Sequence, residues 1–240
     1  MKALKRRIVV IAITLTASLV SIDLVCAQSA YFVDRFMGAT LGNHLQDVNS
    51  EFLLGKGYVH RGGNEGPASA NRHYITTVRQ DYISRDWTYD ITFFSPIFAP
   101  DDILFIGFGE AVQDDSYFNE PRNSLMFRIH QGQFAFFTNW RVDVAAHTVG
   151  PAIYTYFNEA VGFLPANLPD GGLFTARIRK SGKEVTFQIL DTPILVIIPD
   201  VSIAAPFLSQ SNSRIFFGNA STEYLFSDMR VLPASVDAAQ

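Results

Sequence analysis

The residues best suited by type and spacing to do chemistry are an arginine and a histidine at alternate positions of one segment. In residues 125–131, apolar residues alternate with Met126, Arg128 and His130, which predicts a strand with these three on one face. Arg128 could neutralise the carboxylate of an anionic sugar, and His130 could move a proton. Both are therefore candidate catalytic residues, and Arg128 is also a candidate ligand-binding residue. The solvent-facing half of an amphipathic strand explains the same pattern and is the favoured interpretation.

Glu110 and Tyr156 are the other candidates for acid–base catalysis. Glycoside hydrolysis needs two carboxyl groups, about 5–5.5 Å apart in retaining enzymes and about 6.5–9.5 Å apart in inverting ones. Glu110 has no second acidic residue two positions away, so a solvated strand end is the favoured interpretation. The sequence also lacks a Gly-x-Ser-x-Gly nucleophile elbow, a phosphate loop and zinc-ligand spacing. It therefore leans against an enzyme.

Aromatic side chains next to polar groups are the features best suited to bind a sugar, because aromatic rings stack on pyranose faces. Trp140 lies beside Asn139 and Arg141 at the end of an apolar segment, and Tyr154 lies in another aromatic segment. We name Trp140 and Tyr154 as candidate ligand-binding residues. Since most alternating aromatic residues belong to a core, a buried Trp140 is an equal alternative.

A glycine-rich segment, residues 61–72, is the best candidate for a shaped binding loop. Its small residues let the backbone approach a ligand closely, and Asn64, Glu65 and Arg72 supply polar side chains. A connection without a binding role is the plainer alternative and is slightly favoured.

Four residues with oxygen-bearing side chains form a candidate calcium site in a predicted loop. Calcium prefers such ligands, which here are Asp114, Asp115, Asn119 and Glu120. Their spacing is not that of an EF-hand, and a solvated acidic turn is the favoured interpretation. No other cofactor is indicated.

Strands must position all of these side chains, and the alternation of apolar and polar residues predicts them. Residues 87–94 alternate strictly, and segments 174–179 and 185–190 predict a hairpin around Ser181 and Gly182. About a dozen such segments follow one another with turn residues between them and no convincing amphipathic helix. This pattern predicts an all-β protein, a two-sheet antiparallel β-sandwich.

Composition and charge restrict the partners. The chain has 240 residues, 21 of them phenylalanine, and a net charge of −4. A chain this rich in aromatic residues favours strands. No basic stripe lies beyond the first residues, so a nucleic acid has little to bind and is excluded as a partner.

The N-terminus predicts export. Four positive charges in the first seven residues precede an apolar run, and small residues precede Gln28, as in a signal peptide. Cys26 is the only cysteine, so the mature chain has no disulfide, which is common in exported bacterial proteins. An uncleaved anchor is the alternative. We expect a signal peptide at 1–27, a sandwich domain at 28–233 and a tail at 234–240, in a secreted or periplasmic protein without a membrane span after cleavage.

Three segments carry a resemblance to a known family. They are FVDRF at 32–36, FTARIRKSGKEVTFQI at 174–189 and RIFFGN at 214–219. Together with the order of the strands over residues 31–233, they resemble concanavalin A-like lectin/glucanase domains. The resemblance implies a jelly roll of two curved antiparallel sheets, with ligands, often glycans, on the concave face or rim loops. Its members include glycosidases, polysaccharide lyases, lectins and structural modules, so the fold does not choose among them.

Three functions remain open. The first is an exported carbohydrate-binding or adhesion module without turnover, whose partner is a glycan or cell-surface polysaccharide. The second is a polysaccharide lyase or glycoside hydrolase that acts on an extracellular glycan. The third is a structural surface domain without a small ligand. We favour the first.

Overall fold

The structure, a computed structural model, is built almost entirely of antiparallel β-strands. It describes residues 29–50, 52–61, 73–94, 103–112, 121–131, 140–147, 154–157, 173–192, 194–208, 212–219 and 224–234. For residues 61, 103, 112, 129–131, 140–147 and 154–157 it describes the backbone alone. The predicted signal peptide and residues 235–240 of the predicted tail lie outside this part. Within it, no helix is both long enough and apolar enough to span a bilayer.

The first sheet has eight strands among the described residues. In spatial order they are β13 (Leu195–Ile198), β12 (Glu184–Ile189), β11 (Leu173–Ser181), β6 (Trp87–Phe94), β15 (Leu225–Pro233), β4 (Val59–Arg61) and β3 (Phe52–Leu54). The remaining strand, β1 (Phe32–Asp34), pairs with the later part of β15, and β4 pairs with its beginning. Strand β6 therefore lies in the middle of this sheet.

The second sheet has seven strands among the described residues. In spatial order they are β10 (Tyr154–Phe157), β9 (Trp140–His147), β8 (Arg122–Gln131), β7 (Ile103–Val112), β14 (Arg214–Asn219), β5 (His73–Thr77) and β2 (Leu45–Asp47). Two short helical turns complete the described elements, a 3-10 turn (Tyr82–Ser84) and α1 (Val201–Ala204). The predicted all-β, two-sheet antiparallel sandwich is confirmed.

Each sheet turns one apolar face toward the other. In β6, Trp87, Tyr89, Ile91 and Phe93 are fully buried members of the core, because alternate residues of a strand lie on the same face. Burial raises the pKa of the Tyr89 hydroxyl well above its usual value. These four buried side chains, at the alternate positions predicted from the sequence, therefore pack β6 against the second sheet.

Aromatic rings from the two sheets meet across the core. The rings of Phe217 and Phe226 have centroids 4.7 Å apart, and those of Phe127 and Phe187 are 5.8 Å apart. The first of each pair belongs to the second sheet and the second to the first sheet. These tilted contacts add to the area that the rings bury, so phenylalanine supplies much of the attraction between the layers.

The predicted hairpin is formed by β11 and β12, with Ser181 paired with Glu184. Gly182 has a φ of +58° in the turn, a conformation that glycine adopts without strain. The buried ammonium of Lys180 donates to the carbonyls of Gly182 and Arg85, at 2.8 and 3.0 Å. Lys180 thereby fixes the turn to the segment that precedes β6.

A row of charges crosses the outer face of the first sheet. Asp90, only slightly exposed, lies between Arg177 and Arg230 in the strand register. Its two carboxylate oxygens accept hydrogen bonds of 2.7 Å from Nε and Nη2 of Arg177. A bidentate pair of this kind fixes the relative position of neighbouring strands, so Arg177 and Asp90 hold β11 against β6.

A partly buried carboxylate holds strand β1 in place. Oδ2 of Asp34 lies 3.2 Å from Nε2 of His44, and Oδ1 accepts a 2.8 Å hydrogen bond from the Phe36 N–H. The imidazole of His44 and the backbone N–H groups of Phe36 and Gly42 hold the pKa of Asp34 below its usual 3.8. Asp34 therefore stabilises the fold above about pH 3.8, and this contribution disappears as the pH falls through its lower folded-state pKa.

We expect Asp34→Asn to lower the free energy of unfolding by about 1 kcal/mol at neutral pH, because the charged acceptor is lost. The difference from the wild type should shrink below about pH 4, where Asp34 of the unfolded wild type is protonated. Urea unfolding between neutral and acid pH measures it, with the exposed Glu184→Gln as a control. A difference that stays constant down to about pH 2 contradicts the assignment.

Candidate functional site

The second sheet carries a separate apolar cluster on the face turned away from the core. This outer cluster consists of Tyr74, Phe105, Ala111, Met126 and Phe216. The three aromatic rings have centroids 6.2–6.3 Å apart, and all three residues are fully buried. A sugar stacks only on an accessible ring, so these aromatics hold the sheet together and are not a binding platform.

A bend near the end of β7 brings the backbone over the outer cluster. The register between β7 and β8 shifts after Gly109, and Gly109 and Ala111 have φ angles of +151° and +51°. The hydroxyl of Tyr74 donates to the carbonyl of Ala111 at 2.9 Å. A bulge of this kind redirects a strand and its side chains, and here it closes part of the outer face.

Glu110, a candidate general acid, lies inside this bend. Its Oε2 accepts a 2.7 Å hydrogen bond from the side-chain amide of Asn123, which has a φ of +52°. The contact joins the bent ends of β7 and β8. Glu110 thus has a structural role at the bulge, in addition to any role with a ligand.

Arg128 lies on the same outer face, paired in register with Phe105 of β7. It is only 5% exposed and takes part in interactions within the protein. The solvent-facing half of an amphipathic strand is therefore not its environment. A buried guanidinium keeps its charge and needs partners, so Arg128 is held in place before any ligand arrives.

The register of β8, β9 and β10 places most of the predicted catalytic and sugar-binding residues together. Arg128 is paired with Asp143 and His130 with Arg141. Tyr154 and Tyr156 are paired with His147 and Ala145. In paired strands, residues that lie opposite each other and every second residue from them occupy matching positions. We call the polar residues at these matching positions of β8, β9 and β10 the polar register set: Arg128, His130, Arg141, Asp143, His147, Tyr154 and Tyr156.

Two residues of this set, Arg141 and Asp143, were not predicted from the sequence as site residues. Arg141 and Asp143 belong to β9, whose residues alternate in the same way as β6. That alternation is the signal that could have found them. The candidate Trp140 pairs with Gln131, the neighbour of His130, and so falls in the other set of positions.

The remaining candidates lie outside the described residues. These are Asn64, Glu65 and Arg72 of the predicted binding loop, and Asp114, Asp115, Asn119 and Glu120 of the predicted calcium site. Among the residues that are described, no three His, Cys, Asp or Glu side chains are grouped as a metal site would need.

A second group of charged residues, Arg79, Asp81 and Arg85, lies between β5 and β6 in the chain. The carboxylate of Asp81 receives hydrogen bonds from both Arg79 and Arg85. The two guanidinium groups lower the pKa of Asp81 far below its usual value. All three side chains are partly exposed, so the cluster contributes little to stability.

A cavity of about 270 Å³ lies beside α1. Its lining includes Lys180, Lys183, Ser202 and Leu208. Burial lowers the pKa of Lys180, yet its ammonium is already engaged by two carbonyls. Lys183 binds Asp200, which caps α1 through the Ser202 N–H. The charged groups of this cavity are thus used by the fold.

No protein-family model and no curated protein matches this chain in sequence. Its structure is similar to the Emp47p carbohydrate recognition domain, with a TM-score of 0.58 and 13% identity over 85% of this chain and 96% of that one. It is also similar to LamA from Z. galactanivorans in complex with laminaritriose and laminaritetraose, with a TM-score of 0.52 and 8% identity over 84% and 97%. A third match is the CBM2 module of Lactobacillus casei BL23 phage J-1 evolved Dit, with a TM-score of 0.50 and 11% identity over 83% and 93%.

These matches define the class of fold. The protein has the concanavalin A-like lectin/glucanase sandwich, and the family resemblance read from the sequence is confirmed at the level of fold. Lectins, carbohydrate-binding modules and glycoside hydrolases share this fold. Function must therefore be argued from the site.

Proposed function

We propose that the protein is an exported carbohydrate-binding or adhesion module that binds a glycan through the polar register set without turnover. The observation that carries the proposal is the register of β8, β9 and β10. It collects two arginines, two histidines, an aspartate and two tyrosines from three neighbouring strands of one sheet. Residues spread over positions 128–156 thus fall in one set of alternate positions across three neighbouring strands.

The chemistry of this set suits a sugar. Planar guanidinium and carboxylate groups form paired hydrogen bonds with hydroxyl and carboxyl groups, and tyrosine offers both a ring face and a hydroxyl. Rigid strands hold such groups more exactly in place than loops do. The two arginines favour a glycan that carries carboxylates, which is the partner expected from Arg128.

Two observations bear on the choice between binding and hydrolysis. Glu110 is held by the amide of Asn123 at the bulge, a structural engagement that explains its presence without catalysis. Arg128 is almost fully buried and has partners within the protein, so it would act on a glycan through its charge and by holding neighbouring residues of the set in place. A lyase that uses Arg128 and His130 remains the alternative that the experiment must separate.

Export is part of the same proposal, since a glycan partner outside the cell requires it. The support is the predicted signal peptide at 1–27. Protein collected after export should begin at Gln28, and mass spectrometry reads this N-terminus. An intact N-terminus on exported protein contradicts the proposed cleavage.

The test is a glycan array with the exported protein, followed by Tyr156→Ala and Arg128→Gln on the glycans that bind. We expect each change to weaken binding about tenfold or more, since one stacked ring or one charged hydrogen bond contributes on the order of 1–2 kcal/mol. Arg179→Ala is the matched control, because Arg179 is an exposed residue of β11 in the other sheet.

Three results decide against the proposal. Failure to bind any glycan on the array supports a structural surface domain instead. Release of unsaturated uronate from a bound polysaccharide, abolished by His130→Ala, identifies a lyase. Release of reducing sugar abolished by Glu110→Gln identifies a hydrolase.

A further inference from the structure

A row of mostly apolar residues crosses the outer face of the first sheet at one end of its strands. Phe94 belongs to it, because it follows the core residue Phe93 in β6 and successive residues of a strand lie on opposite faces. Strand β6 ends at Phe94, and β11 and β15 begin at Leu173 and Leu225, so the row lies at the end of the sheet. The register gives its order across five strands, and we call it the end row: Leu53, His60, Leu225, Phe94 and Leu173.

The end row exposes aliphatic surface. Leu53 and Leu173, its first and last members, are 56% and 68% exposed, and the three residues between them are partly buried. Because neighbouring strands are about 4.8 Å apart, the row is about 19 Å long. The ring of Tyr58, a residue that is 37% exposed, lies 5.8 Å from the ring of His60 and extends the surface. Exposed apolar side chains that run together in this way mark a site of interaction.

The outer face changes in polarity with distance from the end row. The next row carries hydroxyl groups: Ser227 and Thr175 both pair with Thr92, and the hydroxyl oxygens of Thr92 and Thr175 are 2.9 Å apart. Beyond these hydroxyl groups lies the row of charges around Asp90. At about 3.4 Å per residue, the hydroxyl groups lie about 7 Å from the end row and the charges about 14 Å from it.

The surface of a lipid bilayer presents the same order of environments. Across the roughly 5–8 Å of each head-group region, the surroundings change from hydrocarbon to water. With the leucines at the hydrocarbon boundary, the hydroxyl groups lie among the head groups and the charges stay in water. Tyr58 lies two residues before His60, on the side of the hydroxyl groups, and tyrosine is enriched at the membrane–water interface. A sugar needs exposed rings on which to stack, whereas this row exposes mainly leucine.

We propose that the end row docks the protein on the surface of a phospholipid bilayer, with Leu53 and Leu173 at the boundary of the hydrocarbon. The contact is peripheral, since apolar faces of this kind enter a bilayer by about 5–10 Å and do not cross it. The net charge of −4 gives anionic lipids no advantage, so apolar burial supplies the attraction. The polar register set belongs to the other sheet, and docking is therefore independent of glycan binding.

Co-sedimentation with phosphatidylcholine vesicles tests the docking. We expect the exported protein to bind, and the double variant Leu53→Glu, Leu173→Glu to bind at least about tenfold more weakly, since burial of each leucine contributes about fivefold and a carboxylate resists the hydrocarbon. The matched control is Leu195→Glu, Ile197→Glu. These two residues are 51% and 48% exposed on the same face of the same sheet, but Leu195 is level with the charges. The control should bind as the wild type does.

Tryptophan fluorescence tests the orientation on the bilayer. Phosphatidylcholine that is brominated on its acyl chains should quench Leu173→Trp more strongly than the wild type, whose Trp87 and Trp140 give the baseline. Leu195→Trp should match the wild type, because docking leaves this position about 14 Å from the hydrocarbon boundary. Equal quenching of the two variants contradicts the proposed orientation.

Several results overturn the proposal. Protein that stays free of vesicles does so, as does binding that survives the changes at Leu53 and Leu173. Binding that is lost in about 0.5 M salt identifies charge as its cause and also contradicts the proposal. Self-association without vesicle binding, abolished by the same two changes, assigns the row to a second copy instead. Both double variants should unfold at the urea concentration of the wild type, because their changes lie at exposed positions, and their glycan binding should be unchanged.

Discussion

Replacing Trp87 with alanine should lower the free energy of unfolding by about 4 kcal/mol, the scale measured for large aromatic residues in packed cores. Trp87 is fully buried. Its ring meets Phe108 of the opposite sheet edge to face, with centroids 5.2 Å apart, and Tyr82 at 6.3 Å. Its indole N–H donates to the Tyr82 carbonyl at 2.8 Å. The change therefore opens a cavity between the sheets and leaves a buried carbonyl without this donor.

A smaller substitution separates the two contributions. Trp87→Phe keeps most of the packing and loses the N–H, so we expect a loss of about 1–2 kcal/mol. Tyr58→Ala is the control for removing an aromatic ring from a site that is 37% exposed, and it should cost less than about 1 kcal/mol. Urea unfolding measures all three. Equal losses for Trp87→Ala and Tyr58→Ala contradict the placement of Trp87 in the core.

Strands with strict alternation could be predicted from the sequence, because each needs only its own residues to show which face is buried. Residues 87–94 and the hairpin around Gly182 are of this kind, and the structure gives β6, β11 and β12 there. The helical turn α1, of four residues, is too short to show a helical period. Strands β2 and β3, of three residues each, are too short to show a period.

Strand β9 was missed although its residues alternate. We predicted an apolar segment that ends at Trp140 and no strand directly after it, whereas the structure has β9 from Trp140 to His147. Alternation fixes the faces of a strand but not its ends, since no glycine or proline marks the boundary between 139 and 140. We therefore did not predict that Arg141 and Asp143 lie beside His130 and Arg128, where the register places them.

The arrangement of the site depends on long-range pairing that no local pattern carries. Arg128 and His130 could be placed on one face from their spacing alone. Their pairing with β9, and the pairing of β9 with Tyr154 and Tyr156, depends on which strands become neighbours. The bend that brings Ala111 over Tyr74 is likewise hidden, because a positive φ at alanine leaves no signal in its own residue type.

Replacing Gly218 with alanine should lower the free energy of unfolding by about 3 kcal/mol, at the upper end of overpacking effects. Gly218 lies in β14, between β5 and β7. A Cβ atom there would lie 2.1 Å from the backbone oxygen of His73, 2.7 Å from Cβ of Tyr74 and 2.8 Å from Cε2 of Phe105. Because the first contact is to backbone, no side-chain rotation relieves it, and the sheet itself must separate.

The effect should reach the outer cluster, since Tyr74 and Phe105 are two of its rings. Gly182→Ala is the matched control: its Cβ would meet nothing within 4 Å, although φ is +58°. It should cost only about 1 kcal/mol, from the left-handed conformation. Urea unfolding of both variants, with near-ultraviolet circular dichroism as a probe of aromatic packing, makes the comparison. If Gly218→Ala is as stable as Gly182→Ala, the close packing of β5, β14 and β7 is wrong, and with it the surface on which Arg128 is held.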